Sequence, residues 1–482
     1  MAYYSYSPDL MKRLKEEFVS NLEGTTMREI AAMSALFPAF LLLRQCWPES
    51  SVLKPETGSS EEDSKSSMIR TKFWRSILLD FLVIVVPAVA CLTVLADWLY
   101  TILPVTFGLL FLVLGSKRSQ SSSIIGTPVE KNRNATRKIY LSSYRFVMML
   151  VTCMTILAID FTVFPRRYGK TETYGTGLMD LGVGSFVVAN ALVSRQARNL
   201  PPSKYGGVLR NTSPLLLLGF IRLIVTKGVD YQEHVGEYGV HWNFFFTLAG
   251  VSLLTSLISI KSSWCGPLGI TILAVYQIVL SSGLNVYLLS PQRGQGLLSL
   301  NKEGIASTFG YWGLYLISVH LGYLLNSKQT NVVQTISPSS NIETEKKAVT
   351  LRRGVVVGIW VLDVFLWVLT VWADYFVERI SRRTCNLSYV LFVLAQNFEV
   401  IGIFMLAEVL APLREIAILN VFDRNMLPTF LLANLLTGLV NMSMYTIFVA
   451  PAKAVVVVML YALTLVGLMG LVDVKKLKLK FW

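Results

Sequence analysis

Apolar runs of about twenty residues recur along the whole chain, and no other feature restricts its fold so severely. A hydrocarbon core about 30 Å thick needs roughly 20 apolar residues per helix. Within it every backbone N–H and C=O must find a partner, which leaves helices or closed barrels. The runs are long and continuous, without the short alternating segments of a barrel, so a barrel is excluded. A composition of 53% hydrophobic and 15% charged residues, with mean hydropathy +0.53, agrees.

The expected fold is therefore all-α, a polytopic integral membrane protein with about 13 transmembrane helices. They start near Met27, Phe73, Leu99, Tyr140, Gly177, Pro214, Trp242, Pro267, Ile305, Gly354, Leu387, Leu427 and Ala452. Residues 1–26 read as an interfacial amphipathic segment, because Leu10, Leu14 and Phe18 recur at helical spacing among charges. Residues 27–472 form one multi-span domain. Within it the Ser/Thr/Gln-rich stretch 326–353 is expected to be a disordered cytosolic loop, and 473–482 a basic cytosolic tail.

The formal net charge of +14 does not call for nucleic acid, since Lys and Arg concentrate in tails and inter-span loops, where membrane lipids and insertion orientation account for them. Lys117, Arg118, Lys131, Arg133, Arg137 and Lys138 crowd one loop, and Lys346, Lys347, Arg352 and Arg353 another of the same set. By the positive-inside rule this set is cytosolic. An odd span count then places the N-terminus in the lumen and the C-terminus in the cytosol. Lys478 and Lys480 stand fifth and third from the end, a dibasic spacing associated with retrieval to the endoplasmic reticulum.

The opposite loops are rich in ionisable groups. Asp160 follows an apolar run directly, and Pro165, Arg166, Arg167 and Lys170 come next. Asp160 and Lys170 could be an ion pair closing a helix end, or a base and cation that take a proton from a hydroxyl in a water-poor pocket. Arg166 with Arg167, and Arg382 with Arg383, could be interfacial anchors or bidentate phosphate ligands for a lipid head group or a phosphorylated cofactor tail. His234 and His241 sit among Glu233, Glu237 and Tyr238; acid–base work and a helix cap by His241 and Trp242 both remain open. His320, on an apolar span, reads as a hydrogen-bonded core residue.

Asn434, Thr437, Gly438 and Asn441 share one helix face, suited to packing or to lining a polar cavity. Five scattered cysteines and no HExxH suggest neither a disulfide framework nor a metal site. The sequon Asn386-Leu-Ser lies against a span, which speaks against its use.

The segments FVSNLEGTT, AIDFTVFPRRYGKTETYGTGLMDLGVGSF, YQEHVGEYGVHWNFFFT, NKEGIASTFGY, SRRTCNLSY and LLANLLTGLVNMS resemble the glycosylphosphatidylinositol (GPI) inositol acyltransferases. The family pattern has Asp-Phe-Pro where this chain has Asp160, Phe161 and Thr162, and Asn-Arg-Glu-Gly where it has Asn301, Lys302, Glu303 and Gly304.

The resemblance implies an endoplasmic reticulum enzyme that moves a fatty acyl chain from acyl-CoA to an inositol hydroxyl of glucosaminyl-phosphatidylinositol. It implies no metal or redox cofactor and no obligate protein partner. By similarity Asp160 and Lys170 activate the hydroxyl. Arg166, Arg167, Glu172, Asp180, Glu233, His234, His241, Asn301, Glu303, Arg382, Arg383, Asn434 and Asn441 are expected to bind substrate, and His234, His241 and Asn441 are candidate oxyanion donors. No nucleophile motif such as GxSxG occurs, so direct transfer is expected over an acyl-enzyme. The competing class is a multi-span lipid or solute transporter.

Overall fold

The structure, a computed structural model, describes residues 8–47, 62–122, 139–200, 205–228, 235–258, 260–335, 342–411 and 413–477. Among these the chain is helical, and the only extended pairing is an isolated bridging of Gly24 and Thr25 to Thr176. A helix stands at each of the thirteen expected starts. Nine helices among the described residues are long and apolar enough to cross a membrane, so a count of thirteen crossings does not follow from length and composition. The helices Leu178–Leu192 and Phe244–Ile258 have 15 residues each. That is about 22 Å of helix, short of a full hydrocarbon core.

The insert 326–353 is less of a loop than its composition suggests. The helix Lys302–Thr335 runs into it from one side and Ile342–Phe376 from the other. Once a helix is nucleated by a long apolar segment, each added residue gains a backbone bond, and polar residues continue it readily. The helix Pro8–Val19 occupies the N-terminal amphipathic segment. Lys478 and Lys480 of the tail lie outside the described residues.

The chain divides into two compact units. The first comprises 1–30 with 166–399 and is organised around Lys302–Thr335, which packs against Ser262–Val279, Leu178–Leu192 and Phe244–Ile258. Its crossing with Ser262–Val279 is made by two glycines. A Cβ on Gly313 would stand 2.5 Å from Leu273 Cγ, and one on Gly269 would stand 2.9 Å from the Gly313 carbonyl oxygen. Small residues let backbones approach where lipid offers no hydrophobic drive for association. On Ile342–Phe376, Val357, Val361, Val364, Val368 and Val371 are exposed while Asp363, Leu366, Thr370 and Ala373 are buried. One stripe of this helix is apolar and outward, and the other faces protein.

The second unit comprises 31–165 with 400–481. A buried ion pair, Arg44 Nε to Asp80 Oδ1 at 2.8 Å, links its first two helices, and Asp80 Oδ2 also accepts the Ile418 backbone N–H. Tyr461 donates to the Cys153 carbonyl oxygen at 2.8 Å, joining the last helix to Ile139–Ala158.

Local sequence accounts for two of the helix starts. Asn386 Oδ1 accepts from Ser381 N and Tyr389 N while Nδ2 donates to the Arg379 carbonyl oxygen, so the sequon asparagine is the cap of Leu387–Leu410. The capping expected of His241 and Trp242 falls instead to Asn243, whose Oδ1 accepts the Phe245 N–H. A carboxamide oxygen can accept from that donor, whereas the Trp242 indole nitrogen can only donate, and does so to Thr247 Oγ1 at 2.9 Å. All five cysteines are free and buried, and His320 Nδ1 bonds the Ser262 carbonyl oxygen, as the sequence suggests.

Gly313→Val should lower stability by about 1–3 kcal/mol through overpacking of the crossing. Gly438→Ala, where a Cβ meets nothing within 4 Å, should leave it unchanged. Thermal unfolding of the two purified variants in one detergent checks this, and equal midpoints would refute the close-approach account.

Candidate active site

In the first unit the motif loops are sewn to one another by backbone bonds. Thr25 N donates to Thr176 O at 2.7 Å, Gly175 N to Ile380 O at 2.8 Å, and Val240 N to Leu300 O at 3.0 Å. Gly24 has φ +80°, and a Cβ there would collide with the Thr176 carbonyl, so this crossing requires glycine. Segments far apart in sequence thus converge on a single polar assembly.

At its centre is Arg382. Its Nε donates to Asp180 Oδ1 at 2.6 Å and its Nη1 to Glu237 Oε1 at 3.0 Å; Arg382 is 4% exposed and Asp180 1%. Asp180 Oδ2 accepts both the backbone N–H and the hydroxyl of Thr171, at 3.0 and 2.9 Å. Glu237 Oε1 also accepts Lys170 Nζ at 2.7 Å. Burial works to raise the Glu237 carboxyl, but Lys170 and Arg382 beside it prevail and hold it at about 2. A second fork runs in parallel. Glu303, fully buried, accepts from Arg293 at 2.7 and 2.9 Å and from Arg383 at 3.0 Å. Both members of the second arginine pair therefore hold protein carboxylates.

Of the first pair, Arg166 lies over the Phe18 ring at 3.9 Å, and Arg167 Nε donates to Glu29 Oε1 at 2.9 Å. Tyr168 donates to the same oxygen at 2.7 Å, and Thr25 donates to Glu29 Oε2. Glu29 was visible in the sequence only as the acidic end of a Thr26-x-x-Glu29 capping box. Thr26 Oγ1 does accept the Glu29 N–H, at 3.3 Å, but the carboxylate reaches the arginine loop. Glu378 also escaped the sequence reading. It gathers three neutral donors, Gln277 at 2.7 Å, Tyr174 at 3.1 Å and Asn285 at 3.3 Å. Burial, with Glu378 alongside, pushes the Tyr174 phenol up to about 12.

Asn301 Oδ1 accepts the His241 backbone N–H at 2.7 Å, and its Nδ2 donates to the Leu297 carbonyl, so Asn301 fastens the His241 loop. His241 Nδ1 is buried with no hydrogen-bond partner. Lys302, where the family pattern has arginine, donates to the carbonyls of Tyr287, Ser290 and Gln292 at 2.6, 2.9 and 2.9 Å. Glu172 is exposed, and its backbone N–H donates to Leu22 O. Glu233 and His234 lie outside the described residues.

In the second unit, Asp160 lies two residues past the end of the helix Ile139–Ala158, and its Oδ2 accepts from Asn441 Nδ2 at 2.7 Å. Asn441 comes from Met426–Ser443, so the polar helix face seen in the sequence does supply a partner to the candidate base. Asn434 from the same face is exposed and donates to Phe430 O of its own helix.

Together these features define a polytopic helical membrane protein whose ionisable groups gather, largely buried, in the loops at helix ends. The GWT1 family model matches residues 11–472, and the chain belongs to the GWT1 family. It is 46% identical over 457 residues to an "uncharacterized protein" of Arabidopsis thaliana, covering 93% of this chain and 99% of the relative. It is 31% identical over 521 residues to the phosphatidylinositol-glycan biosynthesis class W protein of Dictyostelium discoideum, covering 98% and 100%. Over 536 residues it is 31% identical to the glucosaminyl-phosphatidylinositol-acyltransferase PIGW of Mus musculus, covering 98% and 99%.

Glu237 sits below its ordinary value of 4.5, so its charge stabilises the fold fully above that value and progressively less as pH falls toward about 2. The stability lost in Glu237→Gln should be constant above about pH 5 and shrink below about pH 4.5. Denaturant midpoints of both proteins across this range check the sign; a deficit growing in acid would contradict it.

Proposed function

We propose that the chain is an acyl-CoA-dependent O-acyltransferase that transfers a fatty acyl chain to the inositol ring of glucosaminyl-phosphatidylinositol during GPI-anchor biosynthesis. Full-length similarity to a relative named for that acyltransferase favours this reading over a transporter. The structural observation that carries it is Asp160 at a membrane helix end with its carboxylate oriented by Asn441.

In the reaction the inositol oxygen attacks the thioester carbon. A C–O bond forms, the C–S bond breaks, and coenzyme A leaves. Asp160 takes the hydroxyl proton and returns it to the departing thiolate. Lys170, held on Glu237, is the second residue assigned to catalysis, as a positive charge, and the unpartnered His241 Nδ1 is a candidate contact for substrate. Arg382 and Arg383, engaged by carboxylates, position the loops. Arg166, stacked on Phe18 and half-buried, is the member of the two pairs assigned to a phosphate of lipid or CoA.

The protein is placed in the endoplasmic reticulum membrane with Lys170 and Arg383 toward the lumen, the N-terminus lumenal and the C-terminus cytosolic. A cysteine introduced beside Lys346 should then be labelled from the cytosol, and labelling from the lumen alone would invert the topology.

Purified protein given acyl-CoA and glucosaminyl-phosphatidylinositol should release free CoA only when the acceptor is present; a transporter would not. A positioned base contributes roughly 10²- to 10⁴-fold. Asp160→Asn should remove most turnover while acyl-CoA affinity and thermal stability persist; Lys170→Met should also remove most turnover, with a loss of stability because Glu237 keeps only Arg382 as its cation. If the two act as one unit, the double variant should be little worse than either. Near-normal turnover in Asp160→Asn would end the assignment of that residue.

A further inference from the structure

The seam between Ile342–Phe376 and Leu387–Leu410 holds polar groups that neither the loop network nor the proposed chemistry uses. The two helices are joined by the short segment 377–386, and the rings of Trp367 and Phe392 meet across them, 6.3 Å apart and edge to face. This contact fixes the antiparallel register. One turn farther from the connecting segment stand Asp363 on one helix and Gln396 on the other. Three residues beyond these come Trp360 and Glu399, on the same two faces.

Each of these four side chains has a buried atom with no hydrogen-bond partner: Trp360 Nε1, Asp363 Oδ1, Glu399 Oε2, and both Nε2 and Oε1 of Gln396. Asp363 is 3% exposed and Gln396 1%. The two carboxylates lie close enough to act on each other electrostatically. Asp363 is halfway along the span Thr350–Phe376, and Glu399 halfway along Leu387–Leu410. The lipid-facing valines of the first helix occupy its opposite side, so the cluster faces protein at membrane depth. An unsatisfied amide there is costly, and an uncompensated carboxylate more so. Buried charge at this depth is retained for a reason.

We propose that this seam is a binding site for a monovalent alkali cation, held by the oxygens of Asp363, Glu399 and Gln396. The donor set is all hard oxygen, without sulfur or imidazole, which selects alkali and alkaline-earth ions over zinc or copper. The two carboxyls and the Gln396 amide offer five oxygens at most, and a pair sharing one proton carries a single negative charge, which suits a monovalent ion better than calcium. One alkali ion and one proton bring the carboxyl pair to neutrality. The indole of Trp360 closes the end of the cluster, where its face can lie against the ion.

The test is thermal unfolding of the full-length purified protein at neutral pH and constant ionic strength, replacing N-methylglucamine chloride stepwise with sodium or potassium chloride. A ligand that binds only the folded state raises the midpoint in a saturable way, here by about 3 °C at a large excess. Asp363→Asn and Glu399→Gln should each abolish that response, and Gln396→Leu should raise the half-saturating concentration about tenfold. Equilibrium dialysis of the wild-type protein with ²²Na⁺ or ⁸⁶Rb⁺ gives an independent reading should a variant fail to fold, and about one displaceable ion per chain is expected. Three results would overturn the proposal: a wild-type midpoint indifferent to both alkali ions with no bound isotope, which would leave the seam holding protons alone; an undiminished response in folded Asp363→Asn; or a response to calcium only.

Discussion

The loop assembly of the first unit depends on one buried guanidinium. Arg382 comes from the segment after Ile342–Phe376, Asp180 from the start of Leu178–Leu192, and Glu237 from the short helix Val235–Tyr238. Without the arginine, two carboxylates would be left without their shared cation in a nearly dry place, a loss on the order of 3–5 kcal/mol. The charge thereby ties these three segments to one another. Lysine could not substitute, because two acceptors lie along different edges of the planar fork. Lys170 and Thr171 then inherit their positions, since one leans on Glu237 and the other on Asp180.

That dependence explains what was legible in the sequence. Hydropathy alone located a helix at every expected start, because a membrane helix satisfies its own backbone and its length is set by the bilayer. Many residues of the loop network were also visible, since ionisable groups concentrated beside membrane helices are costly to keep, but Glu29, Arg293 and Glu378 were not among them. Partnerships were not visible. Lys170 and Asp160 stand ten residues apart in the chain, yet Lys170 pairs with Glu237 and Asp160 accepts from Asn441. These partners are separated in sequence by 67 and 281 positions, beyond what spacing or periodicity can encode.

Other misses have local causes. Glu29 carried a signal for a helix start, and the pattern could not say that its carboxylate also reaches Arg167. The Asn326–Arg353 stretch has the composition of a loop, but it is flanked by two long helices that extend into it. Nothing in the sequence pairs Asp363 with Gln396; the Trp367–Phe392 contact sets the register that brings them to one seam.

The cap at Asn386 has a consequence for how the chain matures. Its carboxamide makes three hydrogen bonds, to Ser381, Arg379 and Tyr389, and the residue has no exposed surface. A transferase that attaches oligosaccharide acts on this same nitrogen, so sugar attachment and completion of the 379–386 loop are mutually exclusive. On the lumenal side proposed for this loop, the sequon would be open only before Arg382 and Arg383 dock. Any copy bearing a glycan there records a polypeptide whose assembly lagged behind its synthesis.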